Sequence, residues 1–285
     1  MTNDPDFRRF AFGLSTLLAE PRGFFSPYRH AAGVPGDVAV YGEIEAMMRE
    51  AAPAMCAVLA AIQNEAPALR ALGGAAPAPR FEQDWFPRLD AAAAYALVTS
   101  GRPRRIVEVG SGHSTRFMAE AARSGRIDCA ITCIDPQPRA ALAGLPVVWI
   151  RDVLARAHVP LIDALETGDI LFIDSSHILW PGTDVDTLFA RLLPRLAPGV
   201  LLHVHDIFLP DGYPQAWRWR GYTEQQGVAA LLAGGGFEIV FASHFAVTRL
   251  AAAGLAPILN DLPLPEGALE TSLWLRKTAN RVWRP

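Results

Sequence analysis

The chain has 285 residues, 51% hydrophobic and 19% charged, with a formal net charge of −3. That length suits one large α/β domain with an N-terminal addition, or two small domains, and the charge excludes the strongly basic surface of a nucleic-acid binder. Three cysteines (Cys56, Cys129, Cys133) form an odd count without metal-ligand spacing. With no signal-peptide pattern and no apolar run near the roughly 20 residues that span a bilayer, a soluble, cytoplasmic, reduced protein without a membrane partner is expected.

Residues 1–40 read as irregular, with Pro21, Pro27 and Pro35 and the aromatics Phe24, Phe25 and Tyr28. A helix is expected over 43–64, where Ile44, Met47, Met48, Ala51, Met55, Val58 and Leu59 recur at helical spacing. The breaker run 73–79 (Gly-Gly-Ala-Ala-Pro-Ala-Pro) sets the boundary between an N-terminal helical extension (1–80) and a main domain (81–285). A helix over 89–99 leads into the sheet. From Arg105 onward, strands at 105–109, 130–134, 146–150, 169–173, 200–205, 237–242 and 271–276 alternate with helices near 115–123, 152–165, 184–195 and 223–233. A further helix is expected near 245–259. Such alternation predicts a mostly parallel sheet covered on both faces.

The densest signal is 105–115, Arg-Ile-Val-Glu-Val-Gly-Ser-Gly-His-Ser-Thr. A strand runs into an acid and two glycines, then into a helix whose free N–H groups face a ligand. The third glycine of the dinucleotide fingerprint is replaced by Thr115, and a carboxylate at Glu108 would repel a pyrophosphate. A cofactor carrying positive charge suits it better, with Glu108 accepting from an ammonium. Downstream, Ile131 to Asp135 reads as a second strand ending in an acid placed for ribose hydroxyls. Asp169 to Asp174 and the run Pro198 to Asp206 follow in order.

On these four motifs the chain, over roughly 81–277, resembles class I S-adenosylmethionine-dependent methyltransferases. The resemblance implies a Rossmann-like seven-stranded sheet of order three-two-one-four-five-seven-six with an antiparallel last strand. It implies S-adenosylmethionine as cofactor and methyl transfer, most readily O-methylation of a small-molecule hydroxyl or carboxylate. The cofactor residues are then Glu108, Gly110, Ser111, Gly112, Ser114, Thr115, Asp135, Asp174 and Ser175. A nicotinamide-dependent oxidoreductase and a non-methylating relative are the alternatives; one related fold is a hydroxylase component of cephalosporin biosynthesis.

The catalytic candidates are Asp174 and His177 after the fourth strand, and His205 and Asp206 after the fifth. His203 shares a face with His205 but lies deeper, as a core histidine. Two mechanisms stay open. His177 or His205 acts as general base, or Asp174 and Asp206 hold a divalent metal such as magnesium, as the resemblance to catechol-type and macrolide O-methyltransferases implies. Ile207 stands where the catechol pattern has Asn. In the aromatic loop 208–220, Arg218 or Arg220 is placed to pair with an acidic acceptor. Residues 22–29 and 85–88 read as a lid or a contact in a homo-oligomer.

Overall fold

The computed structural model describes residues 4–18, 28–35, 38–251 and 254–278. Helices α1 (Pro5–Leu18), α2 (Gly42–Glu50), α3 (Ala52–Asn64), α4 (Ala66–Arg70) and α5 (Arg88–Gly101) precede the sheet. Then come β1 (Arg105–Val109), α6 (His113–Ser124), β2 (Ala130–Ile134), β3 (Val147–Ile150), α7 (Val159–Asp163), β4 (Ile170–Ile173) and α8 (Asp184–Thr187). The chain continues through β5 (Leu201–Val204), α9 (Glu224–Ala233), β6 (Phe237–Ala242), α10 (Ser243–Phe245) and β7 (Leu273–Lys277). Among the described residues no helix is long and apolar enough to cross a membrane.

The sheet order is β3-β2-β1-β4-β5-β7-β6. Strand β7 runs antiparallel to both neighbours, and the other pairings are parallel. This is the order the resemblance implied. Strands β4 and β5 are buried throughout, so Ile-Leu-Phe-Ile and Leu-Leu-His-Val read as near-continuous apolar runs, as strands covered on both faces must. Met48, Met55 and Ile62 of α2 and α3 join the same apolar cluster as Ile239 and Leu275 of the sheet.

Several expected elements are interrupted. The helix over 43–64 breaks at Ala51, because Pro53 falls in the first turn of α3, where a missing N–H is tolerated. The helix over 152–165 shrinks to a 3-10 turn (Arg156–His158) and α7, with Pro160 in its first turn. The one over 184–195 starts at α8, widens over Leu188–Leu192 and closes at Leu193–Arg195, which contains Pro194. The helix near 245–259 resolves into α10, a wide turn at Ala246–Leu250 and a 3-10 turn at Pro257–Asn260. The reading of 1–40 as irregular is corrected for Pro5–Leu18, a helix with proline at its start and Asp6 in its first turn, both favourable to helix initiation. Pro21, Pro27, Phe24 and Phe25 lie outside the described residues.

At the sheet centre Phe172 is fully buried, stacked on His203 at 3.6 Å between ring centroids and edge-on to Phe86 and Trp274. Phe172→Ala should therefore destabilise the protein by about 3–5 kcal/mol, read as a lower denaturation midpoint in urea.

Candidate active site

Register builds the site. Val109 pairs with Ile134 and with Ile173, and Ile173 pairs with Val204. The next residue along each of these four strands is Gly110, Asp135, Asp174 and His205. A glycine, two carboxylates and an imidazole thus emerge at one level, at the carboxyl ends where open α/β sheets bind ligands. All four line a cavity of about 1200 Å³.

Gly110 has φ +82°, and a Cβ there would lie 1.7 Å from the Asp174 carbonyl oxygen. The turn passes so close to β4 that only glycine fits. At Gly112 a Cβ would meet the Arg139 and Ala140 backbone nitrogens at 3.3 and 3.2 Å.

Glu108 does not reach the cavity. It is fully buried beneath the turn, accepting from Ser114 Oγ (2.5 Å), Thr115 Oγ1 (2.6 Å) and Cys133 Sγ (3.3 Å). Thr115 Oγ1 in turn accepts from the Gly112 N–H at 3.0 Å. The threonine that replaces the third glycine is thus a link tying the turn to the acid under it. Burial pushes the Glu108 carboxyl up to about 7, against the three donors. The expected ammonium partner role does not match this placement, and neither does direct repulsion of a pyrophosphate. Gly112 and Thr115 also shape the turn without lining the cavity.

Ser111, Ser114 and Ser175 line the cavity with Asp135. Asp135 accepts from Ser111 Oγ (2.9 Å) and from the Gln137 N–H (2.7 Å), which orients its carboxylate at the end of β2. A nucleoside fits here: a fixed carboxylate for hydroxyls beside a wall that glycine leaves open.

The expected catalytic residues converge. His177 Nε2 lies 3.2 Å from Asp174 Oδ1 and 3.5 Å from Asp206 Oδ2. His205 Nδ1 lies 3.5 Å from oxygens of the same two carboxylates. Two further acids, which the motifs did not reveal, take the far ring nitrogens: Glu224 at 2.9 Å from His177 Nδ1, and Asp90 at 3.3 Å from His205 Nε2. Both acids are fully buried. Asp90 also accepts from the Thr271 and Ser272 N–H groups, each at 2.9 Å. His203, as expected, is a core residue, hydrogen-bonded to Ser272 Oγ at 2.8 Å.

Burial alone would lower both imidazoles. For His177, hydrogen bonds to Asp174 and Glu224 and the charge of Asp206 outweigh it; for His205, the charges of Asp174 and Asp206 do. Both therefore titrate well above the ordinary histidine range. Asp174, which loss of water would raise, is held well below the usual carboxylate range by His205 and His177. Burial raises Glu224, opposed by His177. The cluster at neutral pH is two imidazoliums interleaved with carboxylates. Of Asp174, His177, His205 and Asp206, Asp174 has the most exposed side chain, at 30%.

An oxygen-coordinated magnesium does not fit this set. Magnesium takes oxygen ligands and keeps several waters, whereas the Asp174 and Asp206 oxygens here lie 3.2–3.5 Å from imidazole nitrogens of His177 and His205. Among the described residues no group of three or more His, Cys, Asp or Glu is arranged to hold a metal ion.

The two loop arginines part company. Arg220 lies on the cavity wall, its guanidinium 4.0 Å from the Trp217 ring and its Nη1 3.9 Å from Asp206 Oδ2. Arg218 turns away, 3.9 Å from Asp6 of α1, and is not placed for an acceptor. Of segment 85–88, Trp85 and Phe86 line the cavity, whereas Arg88 pairs with Glu270 at 2.9 Å. Most of segment 22–29 lies outside the described residues.

Residues 107–207 match a family model described as a methyltransferase domain. A search of curated proteins finds no match. Among solved structures the chain is similar to the SAH-bound Podospora anserina methyltransferase PaMTH1, at 17% identity and a TM-score of 0.42, covering 90% of this chain and 100% of that one. It is also similar to a putative methyltransferase from Thermobifida fusca (18%, 0.39, covering 67% and 82%) and to CmcI-D160 with Mg-SAM (16%, 0.37, covering 65% and 69%). The matched segment runs from β1 to just past β5, in a sheet whose β7 is the one strand antiparallel to its neighbours. This chain therefore carries a methyltransferase domain over residues 107–207.

Two outcomes follow from this geometry. Gly110→Ala should abolish binding of S-adenosylhomocysteine in calorimetry, since its Cβ collides with backbone rather than with a movable side chain. Because the folded-state pKa of Glu108 is raised, its contribution to stability is fully present below about pH 4.5 and is lost as pH rises through about 7. Unfolding free energies of wild type and Glu108→Gln across that window should diverge by about 3 kcal/mol, the variant having the flatter profile.

Proposed function

We propose that the enzyme O-methylates a small acid. The observation that carries this reading is Asp174, ionised and open to the cavity one strand away from Gly110, with Arg220 on the wall beside Asp206. When bound, S-adenosylmethionine supplies a methyl group on a cationic sulfonium. Asp135 holds the ribose end, the turn at Gly110 lets the ligand approach the sheet, and the Asp174 carboxylate complements the sulfonium's charge. Arg220, stacked on Trp217, orients the acceptor's carboxylate. Transfer is an in-line displacement: an acceptor oxygen bonds the methyl carbon while the carbon–sulfur bond breaks and its electron pair stays on sulfur. The protein's contribution is positioning and fixed charge.

The proton-filled histidines favour a carboxylate acceptor over a hydroxyl. A carboxylate has no proton to lose, whereas a hydroxyl requires a base, and neither His177 nor His205 is in its basic form at neutral pH. Turnover with a carboxylate acceptor should stay level from about pH 7 to 8. Turnover that climbs steeply over that range would instead point to a hydroxyl acceptor and a histidine base.

Arg220→Ala should raise the acceptor's KM about tenfold or more and leave S-adenosylhomocysteine affinity unchanged; an unchanged KM would remove the acidic-acceptor reading. EDTA should leave turnover intact. Loss of activity restored by a transition metal would show that the imidazoles are ligands rather than proton carriers.

A further inference from the structure

His113 begins α6 directly after the glycine turn, is 7% exposed and lines the cavity. Its Nδ1 is sealed from solvent and has no hydrogen-bond partner. A buried donor without an acceptor costs more than a buried lone pair without a donor, so the proton belongs on Nε2, the ring nitrogen not sealed in this way. Burial, followed by the charges of Arg116 and Arg80, pushes the imidazole down to about 4, so the ring is neutral. Arg116 stands behind it, itself buried and forked onto the Ala141 carbonyl at 3.1 and 2.9 Å. The first-turn N–H groups of α6 add positive potential on the same side. This corner of the cavity therefore sets positive potential around His113 beside the single carboxylate of Asp84.

A cofactor with its ribose at Asp135 and its sulfur at Asp174 would turn its third arm, the amino-acid chain, toward His113, Ser114 and Asp84 on the same cavity wall. We propose that His113 Nε2–H donates to the carboxylate of the cofactor's amino-acid arm, with Asp84 supplying the opposite charge for its ammonium. This rests on the cofactor reading and adds to it a positioning residue outside the strand-end acids.

The test is calorimetric binding of two ligands, S-adenosylhomocysteine and 5′-methylthioadenosine, which shares the nucleoside and sulfur but lacks the amino-acid arm. His113→Leu should weaken S-adenosylhomocysteine about tenfold or more and leave methylthioadenosine unchanged. His113→Gln, whose amide nitrogen reaches near the Nε2 position, should recover most of the loss. Equal weakening of both ligands, or of neither, would overturn the proposal, the first outcome marking a merely structural histidine. Failure of the wild-type protein to bind either ligand would overturn the cofactor reading as well.

Discussion

Everything at the site depends on four strands ending in step. Parallel strands β2, β1, β4 and β5 stop at paired residues, so their next positions project as one row. The row holds together because β1 turns away over bare backbone: the Asp174 N–H donates to the Val109 carbonyl at 2.9 Å, and the Gly110 N–H to Ile134 at 3.0 Å. The same close approach that fixes the row leaves no room for a side chain at Gly110. Cofactor access and sheet continuity are therefore one constraint.

The second organising feature is charge alternation. Placing carboxylates and imidazoles in a buried cluster is costly unless each charge meets an opposite one. Here each histidine lies between acids on both ring nitrogens, and the acids come from distant parts of the chain: Asp90 from α5, Asp174 and Asp206 from strand ends, Glu224 from α9. Such a network keeps Asp174 ionised and fixed in direction, which suits a reaction driven by orientation and field. It also makes the histidines poor bases at neutral pH.

Much of this could be read from the residues. The strand runs, their order along the chain and the acids at their ends are local signals, and the side-chain convergence of Asp174, His177, His205 and Asp206 follows once β4 and β5 are neighbours. Helix interruptions were harder, since Pro53, Pro160 and Pro194 sit in first turns, where proline continues a helix as readily as it ends one. Glu108 was misplaced because a motif gives a residue's position and not the side of the turn it faces. Asp90 left one clue, a carboxylate inside the apolar run Leu89 to Val98, but its partner is 115 residues away. His113 gave less, since a histidine after two glycines looks like any helix start.

The Asp90 contacts bear on how separable the parts of this chain are. The segment that matches a methyltransferase domain ends at residue 207 and begins at 107, so it carries both histidines but neither of the buried acids that face their far nitrogens. Asp90 simultaneously holds the backbone entering β7, and Glu270, one residue earlier, takes Arg88. The matched segment is therefore not a transplantable module. Moved into another protein, it would arrive with its charges uncompensated and without its reversed strand, so α5 and β7 must travel with it.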